Sequence, residues 1–199
     1  METGLVSNKS FITPQVNGFW EYLLVAHPDA TVYAQVMEEK ELFSAQFKTA
    51  IAAKTKPHIT VANFLAVEAM EETIIRWMHR IISNKKSFLV TLDQYGAFRA
   101  HTIYLRIQDH QPFQQLVKDL KVVDQYIRSY GCPEMHLISH PHLTIARKLE
   151  RTTYQQAVTV YAEKSFHASF EVKELVLLRR QHQFDSCKQV NVFALQPCL

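Results

Sequence analysis

The chain is poor in the residues that would staple or segment it. It has three cysteines in 199 residues, Cys132, Cys187 and Cys198, widely spaced, odd in number and without a Cys-x-x-Cys pair. That pattern argues against a disulfide framework and against zinc, and for a reducing compartment. No Gly-rich or Pro-rich linker and no low-complexity segment interrupts it, so residues 1–199 are expected to form a single domain of two tightly joined lobes. No run of apolar residues approaches the length of a membrane span, and no membrane partner is expected. Met1 to Val6 lack a basic stretch followed by an apolar one, so no signal peptide is expected and a cytoplasmic location is. The charge excess is small. At +3 it tolerates a phosphate-bearing ligand but falls short of what a dedicated nucleic-acid coat needs. Apolar residues, in contrast, make up 47% of the chain, enough for a sizeable core.

Hydrophobic periodicity divides that apolar content into strands and helices. Phe19–Ala26 reads as a first strand, and Asp29 caps a helix in which Val32, Val36, Phe43 and Phe47 share one face. A strand about Ile59–Leu65 precedes an amphipathic helix carrying Met70, Ile74, Ile75, Met78, Ile81 and Ile82. Phe88, Val90 and Leu92 alternate, as do Ile103, Leu105 and Ile107, which predicts a hairpin turning near Gly96. Pro112 opens a third helix that Gly131 closes. A strand around His142 follows, then a helix capped near Thr152, then strands about Glu174–Arg180 and Val190–Leu195. The predicted order is β-α-β-α-β-β-α-β-α-β-β, an α+β pattern in which two similar halves flank a common cleft.

Two of these strands are near copies. Pro57-His58-Ile59-Thr60-Val61-Ala62 and Pro141-His142-Leu143-Thr144-Ile145-Ala146 both read Pro-His-apolar-Thr-apolar-Ala, with the histidines 142 − 58 = 84 positions apart. Side chains alternate along a strand, so His58 and Thr60 share one face, as do His142 and Thr144, while the aliphatic residues face a core. Two such faces opposed across a cleft would supply two proton-transfer groups and two hydroxyl donors to one small anion.

These two His-apolar-Thr-apolar strands resemble the signature of the two-histidine (2H) phosphoesterase superfamily, and within it the 2′-5′ RNA ligase-like and cyclic phosphodiesterase group. His142-Leu-Thr-Ile-Ala-Arg147 is similar to that group's second motif; His58-Ile-Thr-Val-Ala-Asn-Phe-Leu65 is similar to its first, with Ala66 where many members carry Gly. The resemblance implies a bilobal α+β fold with internal pseudo-twofold symmetry, antiparallel-rich sheets flanking a central cleft and helices outside. It implies catalysis by His58, Thr60, His142 and Thr144, without cofactor or metal, on an RNA end or nucleotide bearing a 2′,3′-cyclic phosphate or a 2′-5′ linkage. A monomer is expected. In that group the residue at Arg147 helps to hold phosphate, although strict alternation would turn it away from His142 unless the strand bulges. Phe64, six residues after His58, would share its face and could stack on a base, with core packing the competing reading.

Other signals carry less. His136, His140 and His142 are spaced like a metal cluster, but Pro141 interrupts them and no carboxylate accompanies them at ligand spacing. His27, His79, His101, His110, His167 and His182 belong to no second motif and are expected at surfaces and turns. Tyr95, Phe98, Arg99, His101 and Tyr104 would make an aromatic and basic hairpin overhanging the cleft, and Arg179-Arg180 a basic strand end. A binding module for RNA ends or nucleotides, with the same cleft and no turnover, is the competing function.

Overall fold

The computed structural model describes residues 18–49, 54–98, 101–181 and 185–198. Nine strands run as β1 (Phe19–Ala26), β2 (Ile59–Val67), β3 (Phe88–Phe98), β4 (Thr102–Ile107), β5 (His136–Leu137), β6 (His142–Ala146), β7 (His167–Val172), β8 (Glu174–Arg180) and β9 (Lys188–Ala194). The described helices are α1 (Ala30–Phe47), α2 (Glu71–Ile82), α3 (Gln111–Ser129) and α4 (Arg151–Ala162). The fold is α+β with an antiparallel sheet, in the order β7-β3-β4-β6-β2-β1-β8-β9, and β5 pairs with β2 off this path.

The helices form where the sequence prescribes. The Asp29 carboxylate accepts from the Val32 amide at 2.9 Å and so starts α1, and Gly131, at φ 77°, takes the left-handed conformation just beyond α3. Val32, Val36 and Phe43 of α1, Ile74, Met78 and Ile82 of α2, and Phe113, Leu116, Leu120 and Ile127 of α3 are buried against the sheet. The core-facing strand residues, among them Ile59, Val61, Leu143 and Ile145, are fully buried with them. At about 25 cal/mol per Å² of apolar surface, this shared interior is the main stabilising term.

Three details depart from the sequence expectation. Gly96 is not at the hairpin turn but inside β3, opposite Tyr104. The strand β7 has no counterpart in that expectation, although Ala168, Phe170 and Val172 alternate as buried residues; the pattern is short and mixed with Ser and Glu. β5 has two residues, too few for any period to register. Arg99 and His182 lie outside the described residues.

The sheet consists of two four-stranded wings, β6-β4-β3-β7 and β2-β1-β8-β9, joined where Ile59 pairs with Leu143. These two residues are equivalent in the duplicated motif, since 143 − 59 = 84. A pair made of two equivalent residues marks the position of the pseudo-twofold axis. The equivalence extends into irregularity. Val61 is an extra residue opposite β1, because Leu24 pairs with Ala62 and Val25 with Thr60. Ile145 is an extra residue opposite β4, because Ile103 pairs with Ala146 and Tyr104 with Thr144. The two bulges are again 84 apart.

Candidate active site

The antiparallel pairing at Ile59 and Leu143 sets the geometry of the motif side chains. His58 falls level with Thr144 and Thr60 with His142, all on the face opposite the buried Ile59 and Leu143. His58 and His142 are thus diagonal neighbours on one sheet face, a relation that spaces Cα atoms by about 7–8 Å. All four side chains are partly exposed.

Each imidazole is held in the same way. His58 Nδ1 lies 2.8 Å from the Lys56 carbonyl and His142 Nδ1 lies 3.2 Å from the His140 carbonyl, in both cases two residues back. A carbonyl oxygen only accepts, so Nδ1 carries the hydrogen and Nε2 is left for chemistry. Burial holds both rings below the ordinary histidine value of 6.5, against the opposing effect of the backbone bond. On His58 the electrostatic effects of His27, Lys40 and Arg147 add to burial. The His142 ring has aromatic neighbours instead: Phe98 at 4.8 Å and Tyr104 at 5.2 Å between centroids, both edge-on.

The bulges decide which later residues reach this face. A bulge spends two successive residues on one side of the strand, which reverses the alternation beyond it. Val61 and Ala62 are both buried, as are Ile145 and Ala146. Arg147 therefore returns to the His142 side and is exposed there, as is its counterpart Asn63 (147 − 84 = 63) on the His58 side in part. The same reversal corrects the expectation for Phe64. It is 2% exposed and stacks on Tyr22 in the core, with centroids 5.1 Å apart and planes at 9°, so it presents no surface to a base.

Bulged backbone leaves a carbonyl outside the regular ladder, and the two halves satisfy it differently. The Val61 oxygen accepts from the Ile138 amide at 3.0 Å, just after β5. The Ile145 oxygen accepts from the ammonium of Lys40 at 3.2 Å, which also donates to the Thr144 oxygen at 3.1 Å and to Thr55 Oγ1 at 3.0 Å. Lys40 is 1% exposed, and burial together with the Arg147 charge lowers its pKa to about 8. Sequence reasoning missed Lys40, although its place on the Val32–Val36–Phe43 stripe was a visible signal: a lysine on a buried face needs a partner.

Sequence reasoning gave His27 no part in the site. β1 ends at Ala26, which pairs with Ile59, so His27, the next residue, stands beside His58, ring centroids 6.5 Å apart, with its Nδ1 3.0 Å from the Pro57 carbonyl. Of the proposed overhanging hairpin, Phe98 and Tyr104 do reach His142, whereas Tyr95 is buried against Tyr161 and His101 packs on Tyr154. Arg179 pairs with Glu68 and Glu71, and Arg180 with Glu21, so the basic strand end is neutralised. Among the described residues no group of three or more His, Cys, Asp or Glu is placed to hold a metal ion. No described helix is long and apolar enough to cross a membrane.

Known proteins offer a comparison for this arrangement. No curated protein matches the chain in sequence. The crystal structure of E. coli LigT complexed with NADP+ is similar, at 20% identity and TM-score 0.62 over 88% of this chain and 97% of that one. LigT complexed with 3′-AMP matches at 17% identity and TM-score 0.61, over 89% of this chain and 98% of that one. TT0787 of Thermus thermophilus matches at 15% identity and TM-score 0.67, also over 89% and 98%. These likenesses concern the fold. Residues 28–183, a span that contains both duplicated motifs, both bulges and Arg147, match the family model of the 2′-5′ RNA ligase superfamily, and the chain belongs to that superfamily.

Proposed function

We propose that the protein is a metal-independent phosphodiesterase that opens a 2′,3′-cyclic phosphate, or cleaves a 2′-5′ linkage, of RNA or a nucleotide. His58, Thr60, His142 and Thr144 carry the chemistry and Arg147 holds the phosphate. The observation that supports this reading most is the register that sets two imidazoles on one sheet face about a pseudo-twofold pair, each anchored through Nδ1. That LigT has been solved with 3′-AMP and with NADP+ supports a nucleotide as the ligand.

The surroundings of the two rings divide the work. Electrostatic effects of His27, Lys40 and Arg147 add to burial in disfavouring a proton on His58, whereas burial is the chief effect on His142, which stands edge-on to Phe98 and Tyr104. A single proton shared by the pair then resides on His142. Neutral His58 Nε2 takes the proton of the attacking water, the water oxygen bonds to phosphorus, and His142 Nε2–H protonates the departing ribose oxygen. The Thr60 and Thr144 hydroxyls donate to the non-bridging oxygens as charge builds on them. The product is a phosphomonoester. Each of the proton transfers is worth about 10²–10⁴ in rate, enough for a strained ring without a Lewis acid.

The test is a product assay on a panel of nucleoside 2′,3′-cyclic phosphates and a 2′-5′ dinucleotide, run with and without EDTA. Turnover that survives chelation is expected. Loss on chelation, restored by zinc or manganese, would contradict the metal-independent mechanism. Tight binding of the panel without turnover of any member would favour the binding module.

A further inference from the structure

The duplicated scaffold is symmetric, but the side chains mounted on it are not. Val25 lies opposite Thr60 just as Tyr104 lies opposite Thr144, and His27 follows Ala26 where Arg106 pairs with His142. The position that is a valine in one wing is thus a tyrosine in the other. Tyr104 is not alone there. Phe98 stacks on it, with centroids 4.2 Å apart and planes at 21°, and both rings stand edge-on to His142. Neither ring is buried.

The strand beneath is shaped for this pair. Gly96 lies opposite Tyr104 on β3, and a Cβ there would come within 2.6 Å of the Tyr104 Cζ and 2.8 Å of its hydroxyl. The tyrosine ring therefore lies flat over bare backbone, held down on one side and bounded by Phe98 on another. An aromatic surface fixed in this way, beside a proton donor and on the wing that also supplies the exposed Arg106 and Arg147, has the composition of a base-stacking platform: a π-face for the base and cations for phosphate.

We infer that Phe98 and Tyr104 seat the nucleobase of the ligand, so that the His142 wing holds the nucleoside and the His58 wing faces the attacking water. The inference rests on the phosphodiesterase reading only for the identity of the phosphate group. It selects base-bearing ligands over base-free phosphates, and it orients the substrate so that the nucleoside oxygen departs toward His142.

The experiment is a calorimetric titration with adenosine 3′-phosphate and, separately, with inorganic phosphate, on the native protein and on Phe98→Leu, Tyr104→Leu, Gly96→Ala and Phe98→Trp. The native protein should prefer the nucleotide over inorganic phosphate by about tenfold or more, the scale of one base stacked on an aromatic ring. Phe98→Leu and Tyr104→Leu should each remove most of that preference, and Phe98→Trp should keep it. Gly96→Ala should reduce it with both rings still present, because the added methyl lifts Tyr104 off the sheet. No preference in the native protein would overturn the inference, as would equal losses for both ligands, the mark of rings that only pack against His142. These titrations need no turnover, so a protein that hydrolyses no cyclic phosphate would refute the proposed reaction while the preference still decides the platform.

Discussion

Both motif histidines reach the site with one nitrogen already committed to backbone, and this fixes their response to pH. Burial holds each below 6.5, so the free protein carries both rings neutral at pH 7. As pH falls, the acid gains its proton and the rate rises; further down, the base is protonated too and the rate falls. The profile of kcat/KM should therefore be a bell with its maximum on the acid side of 6.5. The kcat profile should lie at higher pH, since a bound phosphate anion favours imidazolium. A maximum of kcat/KM at pH 8 or above would contradict this. Replacing His27 by Gln removes an electrostatic effect that lowers the His58 pKa and should move the acid limb upward in pH without changing the basic limb. At this scale the sequence was legible where residues repeat, at His58, Thr60, His142 and Thr144. It was silent on His27 and Lys40, because their roles depend on which strand and which carbonyl they meet, and no local pattern encodes that.

The bulge is the element that strict alternation could not anticipate. One extra residue at Val61 and another at Ile145 send Phe64 into the core and bring Arg147 to the site face, the opposite of the faces that strict alternation assigns to the two. Arg147→Met should raise KM for a cyclic phosphate by about tenfold or more while affecting kcat less, as loss of one charge-assisted contact to phosphate would. The bulge at Ile145 is held by the Lys40 ammonium, so Lys40→Met strands two carbonyls. It should cost about 1–3 kcal/mol of stability in chemical denaturation and lower kcat through displacement of Thr144. A Lys40→Met protein with native stability and native kcat would show that the ammonium is dispensable to the strand. The helices and the two strands of the β3–β4 hairpin were readable from period, and α1 also from its Asp29 cap. The cap expected near Thr152 does not form, and β5, whose next residue Ile138 bonds the Val61 bulge, leaves no signature of its own.

Among the described residues, the two wings pair at one position, Ile59 with Leu143, and each carries one motif histidine and one motif threonine. The seam is fully buried at Ile59 and Leu143, so Leu143→Ala should cost about 2–5 kcal/mol, the range for opening a cavity in a core, and should depress activity beyond its effect on stability because it loosens the spacing of the wings. Duplication was evident from the repeated hexapeptide, and with it the symmetric scaffold. The order of strands was not, because β3 and β7 join the wing of β4 and β6 while β8 and β9 join the other, and such pairings depend on contacts far apart in sequence. The central claim is that both wings act on one phosphoryl group. It is tested most directly by measuring cyclic-phosphate hydrolysis and ligand affinity together on His58→Ala, His142→Ala and the double variant. Each single change should lower turnover by at least ~10²-fold with affinity within about tenfold, and the double should be little worse than either single, because acid and base serve one event. Multiplicative losses in the double variant, or losses of affinity in place of rate, would contradict it.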